Sequence, residues 1–164
     1  MDKFINNIEN ICKNHNNVAM FIDMDGIIAE YPVLLEDFAK LKGIFLNANP
    51  IDIVINKLRK ISMTPNIDLY ILSLARSSII VDEKKIWLNK YANFIKPKNW
   101  IILNREAEDY NNENRDYIKA LKMKEKLKDY DATIFLDDDH KMLKEAKKLL
   151  KEKVYVYHIS SALI

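Results

Sequence analysis

Short apolar segments alternate with segments of helical periodicity along the chain. Runs rich in β-branched and aromatic residues predict five strands, at 18–23, 67–73, 100–103, 132–137 and 154–157. Amphipathic segments predict helices at 2–13, 34–42, 51–61, 82–91, 116–128 and 140–150. The alternation favours right-handed βαβ crossovers, because parallel strands need long connections. It therefore predicts a three-layer α/β fold in which a mostly parallel five-stranded sheet is flanked by helices.

The composition fits a single domain over residues 1–164. The chain is 49% hydrophobic, which is ample for one buried core. Its formal net charge of +2 is too balanced to indicate a nucleic-acid or membrane surface. The single cysteine, Cys12, excludes a disulfide framework and favours a reducing, cytoplasmic setting. The sequence has no signal pattern and its apolar runs are only strand-length, so we expect no membrane association.

Acidic residues follow two of the predicted strands. The first strand is followed by Asp23 and Asp25, one residue apart, and then by Gly26. Two carboxylates at this spacing face the same side of a strand, where their repulsion raises one pKa unless a cation compensates. A second cluster, 137–139, ends the fourth strand, and the carboxyl ends of parallel strands share one edge of a sheet. Oxygen ligands without cysteine or clustered histidine favour Mg²⁺ at this edge.

Together these motifs resemble the haloacid dehalogenase (HAD) superfamily of phosphohydrolases. The Asp-x-Asp-Gly motif, Ser73 after an apolar run, a lysine-rich helix and the second acidic cluster follow in the family's order. The segment 21–30 is similar to the corresponding motif of the superfamily's 5′(3′)-deoxyribonucleotidase branch. The resemblance spans 18–150. It implies a Rossmann-like HAD fold, Mg²⁺ as cofactor, and hydrolysis of a phosphomonoester through an aspartyl-phosphate.

The resemblance also implies a role for each acidic residue, and it makes Asp23, Asp25, Asp137 and Asp138 the expected Mg²⁺ ligands. Asp23 would attack phosphorus, and Asp25 would act as general acid and then general base, with its backbone carbonyl on the metal. Of Asp137 and Asp138, one would bind Mg²⁺ directly and the other through water or a neighbouring lysine, with Asp138 the favoured direct ligand. We expect Asp139 to cap the helix that follows.

The resemblance further implies groups that bind the phosphate. Ser73, at the predicted end of the second strand, would donate its hydroxyl to a phosphate oxygen, and Arg76 is close enough in sequence to assist. The family places one lysine near the start of the helix before the second acidic cluster. Counting back from Asp137 favours Lys124, then Lys122. The helix offers Lys119, Lys122, Lys124, Lys126 and Lys128.

The segment 27–49 follows the first acidic motif and is predicted to form a minimal lid. Its Tyr31 and Phe38 are candidates to stack on a base, although packing within the lid explains them too. We expect a small-molecule phosphate ester, favouring a nucleoside monophosphate, with a nucleic-acid end or a metabolite phosphate as alternatives. A noncatalytic module that binds phosphate or Mg²⁺ is the alternative from another class, and turnover distinguishes it. A receiver domain would need a different chain order. The oligomeric state is left open.

Overall fold

The computed structural model describes residues 2–31 and 42–164. The predicted helix at 34–42 falls almost wholly outside the described residues, and so does Phe38. The elements in chain order are α1 (Lys3–Lys13), β1 (Val18–Ile22), α2 (Asp52–Ile61), β2 (Ile67–Ala75), α3 (Ser78–Tyr91), β3 (Trp100–Asn104), α4 (Ile118–Lys126), β4 (Ala132–Asp137), α5 (His140–Leu150) and β5 (Val154–His158). Within the described ranges, no helix is long and apolar enough to cross a membrane.

The five strands form one parallel sheet in the order β3-β2-β1-β4-β5, which confirms the predicted architecture. Ile22, the last residue of β1, pairs with Leu136 of β4, and the backbone N–H of Asp23 donates to the carbonyl of Leu136 at 3.0 Å. Every residue of β1 and β4 is buried, as expected for strands covered on both faces. The register therefore places Asp23 beside Asp137 at the carboxyl edge of the sheet.

Successive residues of β1 face two different helical layers. Met20 and Ile22 belong to a core that includes buried residues of α1, α2 and α3. Phe21, between them, belongs to a second core with residues of α4 and α5. This alternation follows from the two-residue period of a strand. The sheet is thus the middle layer of three.

Two element boundaries differ from the prediction in ways that affect the site. β2 continues to Ala75, so Ser73 lies inside the strand and not at its end. α3 begins at Ser78, four residues earlier than predicted, because the Ser77 hydroxyl accepts a hydrogen bond from the backbone N–H of Ile80 and caps the helix.

The other helical boundaries agree more closely with the sequence. The helix predicted at 116–128 spans Ile118–Lys126. The capping role expected of Asp139 is confirmed, because its carboxylate accepts a hydrogen bond at 2.9 Å from the backbone N–H of Lys141 at the start of α5.

Backbone hydrogen bonds join the two ends of the segment 27–49. The backbone N–H of Glu30 donates to the carbonyl of Asn49 at 2.9 Å, and that of Ile51 donates to the carbonyl of Ile28 at 2.7 Å. Trp87 of α3, only 1% exposed, donates its indole N–H to the carbonyl of Ala48 at 2.8 Å. The returning end of the segment is therefore fixed to the helical layer beside the sheet.

We expect Trp87→Phe to lower the free energy of unfolding by about 2–4 kcal/mol, because it leaves a buried carbonyl without its donor and removes core volume. Urea unfolding measures this loss. Trp100→Phe is the matched control, since it also loses an indole bond to a carbonyl, that of Ile95, but from a half-buried position. An equal loss in both variants would contradict the role given to Trp87.

Candidate active site

Gly26 allows the two acidic motifs to approach each other. Its backbone has φ of +74°, a conformation that favours glycine. A Cβ atom at this position would lie 2.7 Å from an Asp138 carboxylate oxygen and 2.8 Å from the Tyr31 ring. The glycine of the Asp-x-Asp-Gly motif is therefore required by backbone conformation and by space.

Lys119 joins the ends of β1 and β4. Its ammonium lies 2.9 Å from Asp23 Oδ1 and 2.7 Å from Asp137 Oδ2, and the residue is 2% exposed. Burial alone would lower the pKa of Lys119, but the two carboxylates outweigh that effect and raise it. Lys119 is therefore a permanent cation between two acidic strand ends.

The position of Lys119 corrects the sequence-based preference for Lys124 and then Lys122. α4 begins at the carboxyl edge of the sheet and runs away from it, so the lysine nearest its start reaches the acidic residues. Lys119 shares the buried face of α4 with Met123, four residues on. Lys124 is exposed on another face, and Lys122 pairs with Glu125 at 3.2 Å.

Three carboxylates converge where a divalent cation fits. Asp23, Asp137 and Asp138 each offer an oxygen within 4.8 Å of the others. Both oxygens of Asp137 already accept hydrogen bonds, one from Lys119 and the other from the backbone N–H of Asp139 at 2.8 Å. This leaves Asp23 and Asp138 as the better direct ligands. A set of hard oxygen donors suits Mg²⁺.

The acidic residues repel one another in the absence of a cation. Burial and the neighbouring Asp23 carboxylate raise the pKa of Asp137 to about 7, although Lys119 opposes the shift. Burial and Asp23 also raise the pKa of Asp138. Burial raises the pKa of Asp25 as well, against the opposing charge of Lys84. Raised pKa values in neighbouring carboxyl groups are the electrostatic condition that a divalent cation relieves.

A second buried lysine, Lys84 of α3, contacts Asp25. Its ammonium donates to Asp25 Oδ2 at 2.6 Å. Lys84 is not among the sequence-predicted site residues, yet a signal is present, because it lies four residues after Ile80 and three before Trp87, on the apolar face of the helix. A lysine at such a position needs a buried acidic partner.

Ser73 does not have the placement that the sequence predicted. It is fully buried inside β2, where its hydroxyl accepts a hydrogen bond from Lys84 at 2.8 Å. In the described part of the chain, the cavity is lined by the next residues of the strand, Leu74 and Ala75, and not by Ser73. Arg76 does line the cavity.

The site opens into a cavity of about 140 Å³. This is less than the roughly 300–1,000 Å³ that encloses a drug-sized ligand, so the described walls suit the reacting end of a substrate. Tyr110 lines it and donates its hydroxyl to the carbonyl of Ala75 at 3.1 Å. The lining residues are Asp23, Asp25, Tyr31, Phe45, Leu74, Ala75, Arg76, Ile80, Tyr110, Arg115, Lys119, Asp137, Asp138, Asp139 and Met142.

Comparison with solved structures supports the HAD fold. The chain is similar to the HAD domain of effector protein Lem4 from Legionella pneumophila, with a TM-score of 0.55 and 15% identity over 87% of each chain. A structure of the same domain described as an inactive mutant gives a TM-score of 0.55 and 14% identity, covering 87% of this chain and 84% of that one. At this identity the likeness concerns the fold alone. No protein-family model matches the sequence, and no curated protein matches it.

We expect Mg²⁺ to raise the melting temperature by more at pH about 8 than at pH about 5. Asp137 has a pKa of about 7 in the folded protein, against an ordinary value of 3.8. Between these values the folded protein holds more protons than the unfolded chain, so this group makes the metal-free protein less stable as the pH rises. A cation that replaces those protons restores the lost stability. Thermal melts with Mg²⁺ or EDTA across this range measure the effect.

Asp138→Asn is expected to abolish most of the Mg²⁺-induced rise in melting temperature. Asp129→Asn, which changes an exposed aspartate, should leave it intact. A rise that is independent of pH, or that survives in Asp138→Asn, would contradict a cation held by this cluster.

Proposed function

We propose that the protein is a Mg²⁺-dependent phosphomonoester hydrolase that acts through an aspartyl-phosphate on Asp23, with nucleoside monophosphates as the favoured substrates. The observation that carries the proposal is the convergence of Asp23, Asp25 and Asp138 with the buried cation of Lys119 at one cavity. A nucleophile, a proton donor, a metal site and a positive charge are the parts that phosphoryl transfer needs.

In the first step, a carboxylate oxygen of Asp23 forms a bond to phosphorus while the bond from phosphorus to the leaving oxygen breaks. Asp25 transfers its proton to that leaving oxygen, and the alcohol departs. Within the described residues, Lys119 donates two of its three N–H groups, to Asp23 and Asp137, so the third is left for a phosphate oxygen. Mg²⁺ held by Asp23 and Asp138 would supply charge that offsets the repulsion between the nucleophile and the phosphate.

In the second step, Asp25 removes a proton from water, and the resulting hydroxide attacks the phosphorus atom. The bond between phosphorus and Asp23 breaks, which releases inorganic phosphate and regenerates the carboxylate. The proton that Asp25 has taken up replaces the one it gave to the leaving group. The cycle therefore needs one residue that serves first as acid and then as base, and the raised pKa of Asp25 suits the acid form.

The preference for nucleotides rests on the deoxyribonucleotidase-like motif and on aromatic side chains at the cavity. Tyr31 lines the cavity from the described start of the segment 27–49, and Tyr110 lines it from the loop before α4. Aromatic rings provide faces on which a base stacks. Phosphate groups on nucleic-acid ends or small metabolites would use the same chemistry at Asp23.

A panel of nucleoside 5′- and 3′-monophosphates and an aryl phosphate tests this function through phosphate release. We expect turnover that requires Mg²⁺, is abolished by EDTA, and falls by about 10⁴-fold or more in Asp23→Asn, because the nucleophile is lost. A folded wild type that binds Mg²⁺ but releases no phosphate from any substrate would favour a binding module. Turnover confined to the aryl phosphate or to nucleic-acid ends would overturn the nucleotide preference.

Two lysine variants on the same helix refine this test. Lys119→Met should lower kcat/KM by about 10²–10³-fold, because it removes a buried positive charge from the site of the developing anion. Lys124→Met, five residues away and exposed, should retain wild-type activity. Circular dichroism checks that both variants are folded. Equal effects would contradict the assignment of Lys119.

A further inference from the structure

The ammonium of Lys84 is fully used by protein acceptors. It donates at 2.6 Å to Asp25 Oδ2, at 2.8 Å to the hydroxyl of Ser73, and at 2.8 Å to the carbonyl of Leu74. A lysine ammonium has three N–H donors. Lys84 is also 0% exposed. In this arrangement it has no donor left for a substrate phosphate, in contrast to Lys119.

The surroundings of Lys84 fix its position. The ring of Phe45 lies 4.7 Å from the ammonium. Phe45 is held in turn by Glu83, the residue next to Lys84, whose carboxylate accepts hydrogen bonds from the backbone N–H groups of Gly43 and Phe45. The returning end of the segment 27–49 therefore covers Lys84 and separates it from water.

The two oxygens of Asp25 are in different environments. Oδ2 accepts the hydrogen bond from Lys84, whereas Oδ1 is buried and has no hydrogen-bond partner in the described part of the chain. The bond from a charged donor holds Oδ2 in place, and it therefore fixes the orientation of the whole carboxyl group. Asp25 lines the cavity that would receive the substrate.

We propose that Lys84 is a positioning residue that fixes the orientation of the Asp25 carboxyl, which delivers the proton to the leaving group and later takes one from water. This role rests on the proposed phosphatase function and makes it more specific. Lys84 touches neither phosphorus nor the leaving oxygen. It acts through Asp25, and its loss should affect the steps that need a proton more than the binding of phosphate.

The dependence on the leaving group tests this role. An alkyl phosphate, such as a nucleoside 5′-monophosphate, needs its leaving oxygen protonated, whereas p-nitrophenyl phosphate does not. We expect Lys84→Met to lower kcat/KM for the nucleotide by about 10²–10⁴-fold, the usual contribution of a general acid, and for the aryl ester by less than about 10-fold. In Lys84→Met, nitrophenol release should show an initial burst equal in amount to the enzyme. The first step stays fast with this substrate, whereas the second step, which also needs Asp25, becomes slow.

Matched variants separate this role from damage to the fold. Lys57→Met removes another buried lysine, which pairs with Asp2 at 3.0 Å, and should leave both kcat/KM values unchanged. Asp25→Asn should reproduce the selective loss on the nucleotide, and adding Lys84→Met to it should cause little further loss. An equal loss on both substrates in Lys84→Met would overturn the proposal, since a structural or phosphate-binding role predicts that result.

A melting experiment tests the pair without turnover. Lys84→Met leaves the Asp25 carboxyl buried without its cation, so we expect the double variant Lys84→Met with Asp25→Asn to melt at a higher temperature than Lys84→Met alone. Additive changes in melting temperature would overturn the proposal. If wild-type protein turned over neither substrate, both the phosphatase function and the proton-delivery role would be contradicted. If the wild type were active but Lys84→Met lost activity equally on both substrates, only the proton-delivery role would be contradicted.

Discussion

The contact on which the site depends is the ion pair of Lys119 with Asp23 and Asp137. The parallel pairing of β1 and β4 places two aspartates side by side at a buried edge, where their mutual repulsion would oppose folding. A lysine from the first turn of α4 offsets this repulsion. Because the pair is buried, losing either partner would leave an uncompensated charge in the core. The same contact thus supports the sheet edge and orients Asp23.

The site contains two buried lysines with different hydrogen-bonding capacities. In the part of the chain that the structure describes, Lys119 lies between carboxylates and retains one donor for a ligand, whereas all three donors of Lys84 are bound to the protein. One lysine is therefore suited to stabilising charge on a substrate and the other to holding Asp25 in place. The distinction follows from counting donors and acceptors around each ammonium.

Much of the fold and the acidic part of the site could be predicted from the sequence. The alternation of strands and helices predicts a parallel sheet. Asp23 and Asp137 lie close together because they stand at the carboxyl ends of neighbouring parallel strands, which share one edge of the sheet. The lysine could not be chosen by counting residues, since the choice depends on which face of α4 is buried. The prediction that Ser73 ends the second strand was wrong, because pairing with β3 extends β2 to Ala75. That pairing is a tertiary effect.

Phosphorylation of Asp23 is the step that separates the proposed phosphatase from a module that only binds phosphate. Wild-type protein turning over p-nitrophenyl phosphate with Mg²⁺ would be quenched in acid and treated with borohydride, which reduces an acyl phosphate to an alcohol. Peptide mass spectrometry then locates the modified residue. We expect Asp23 to be recovered as homoserine while Asp25, Asp137 and Asp138 are unchanged. Turnover with Asp23 unmodified, or with another residue reduced, would contradict it.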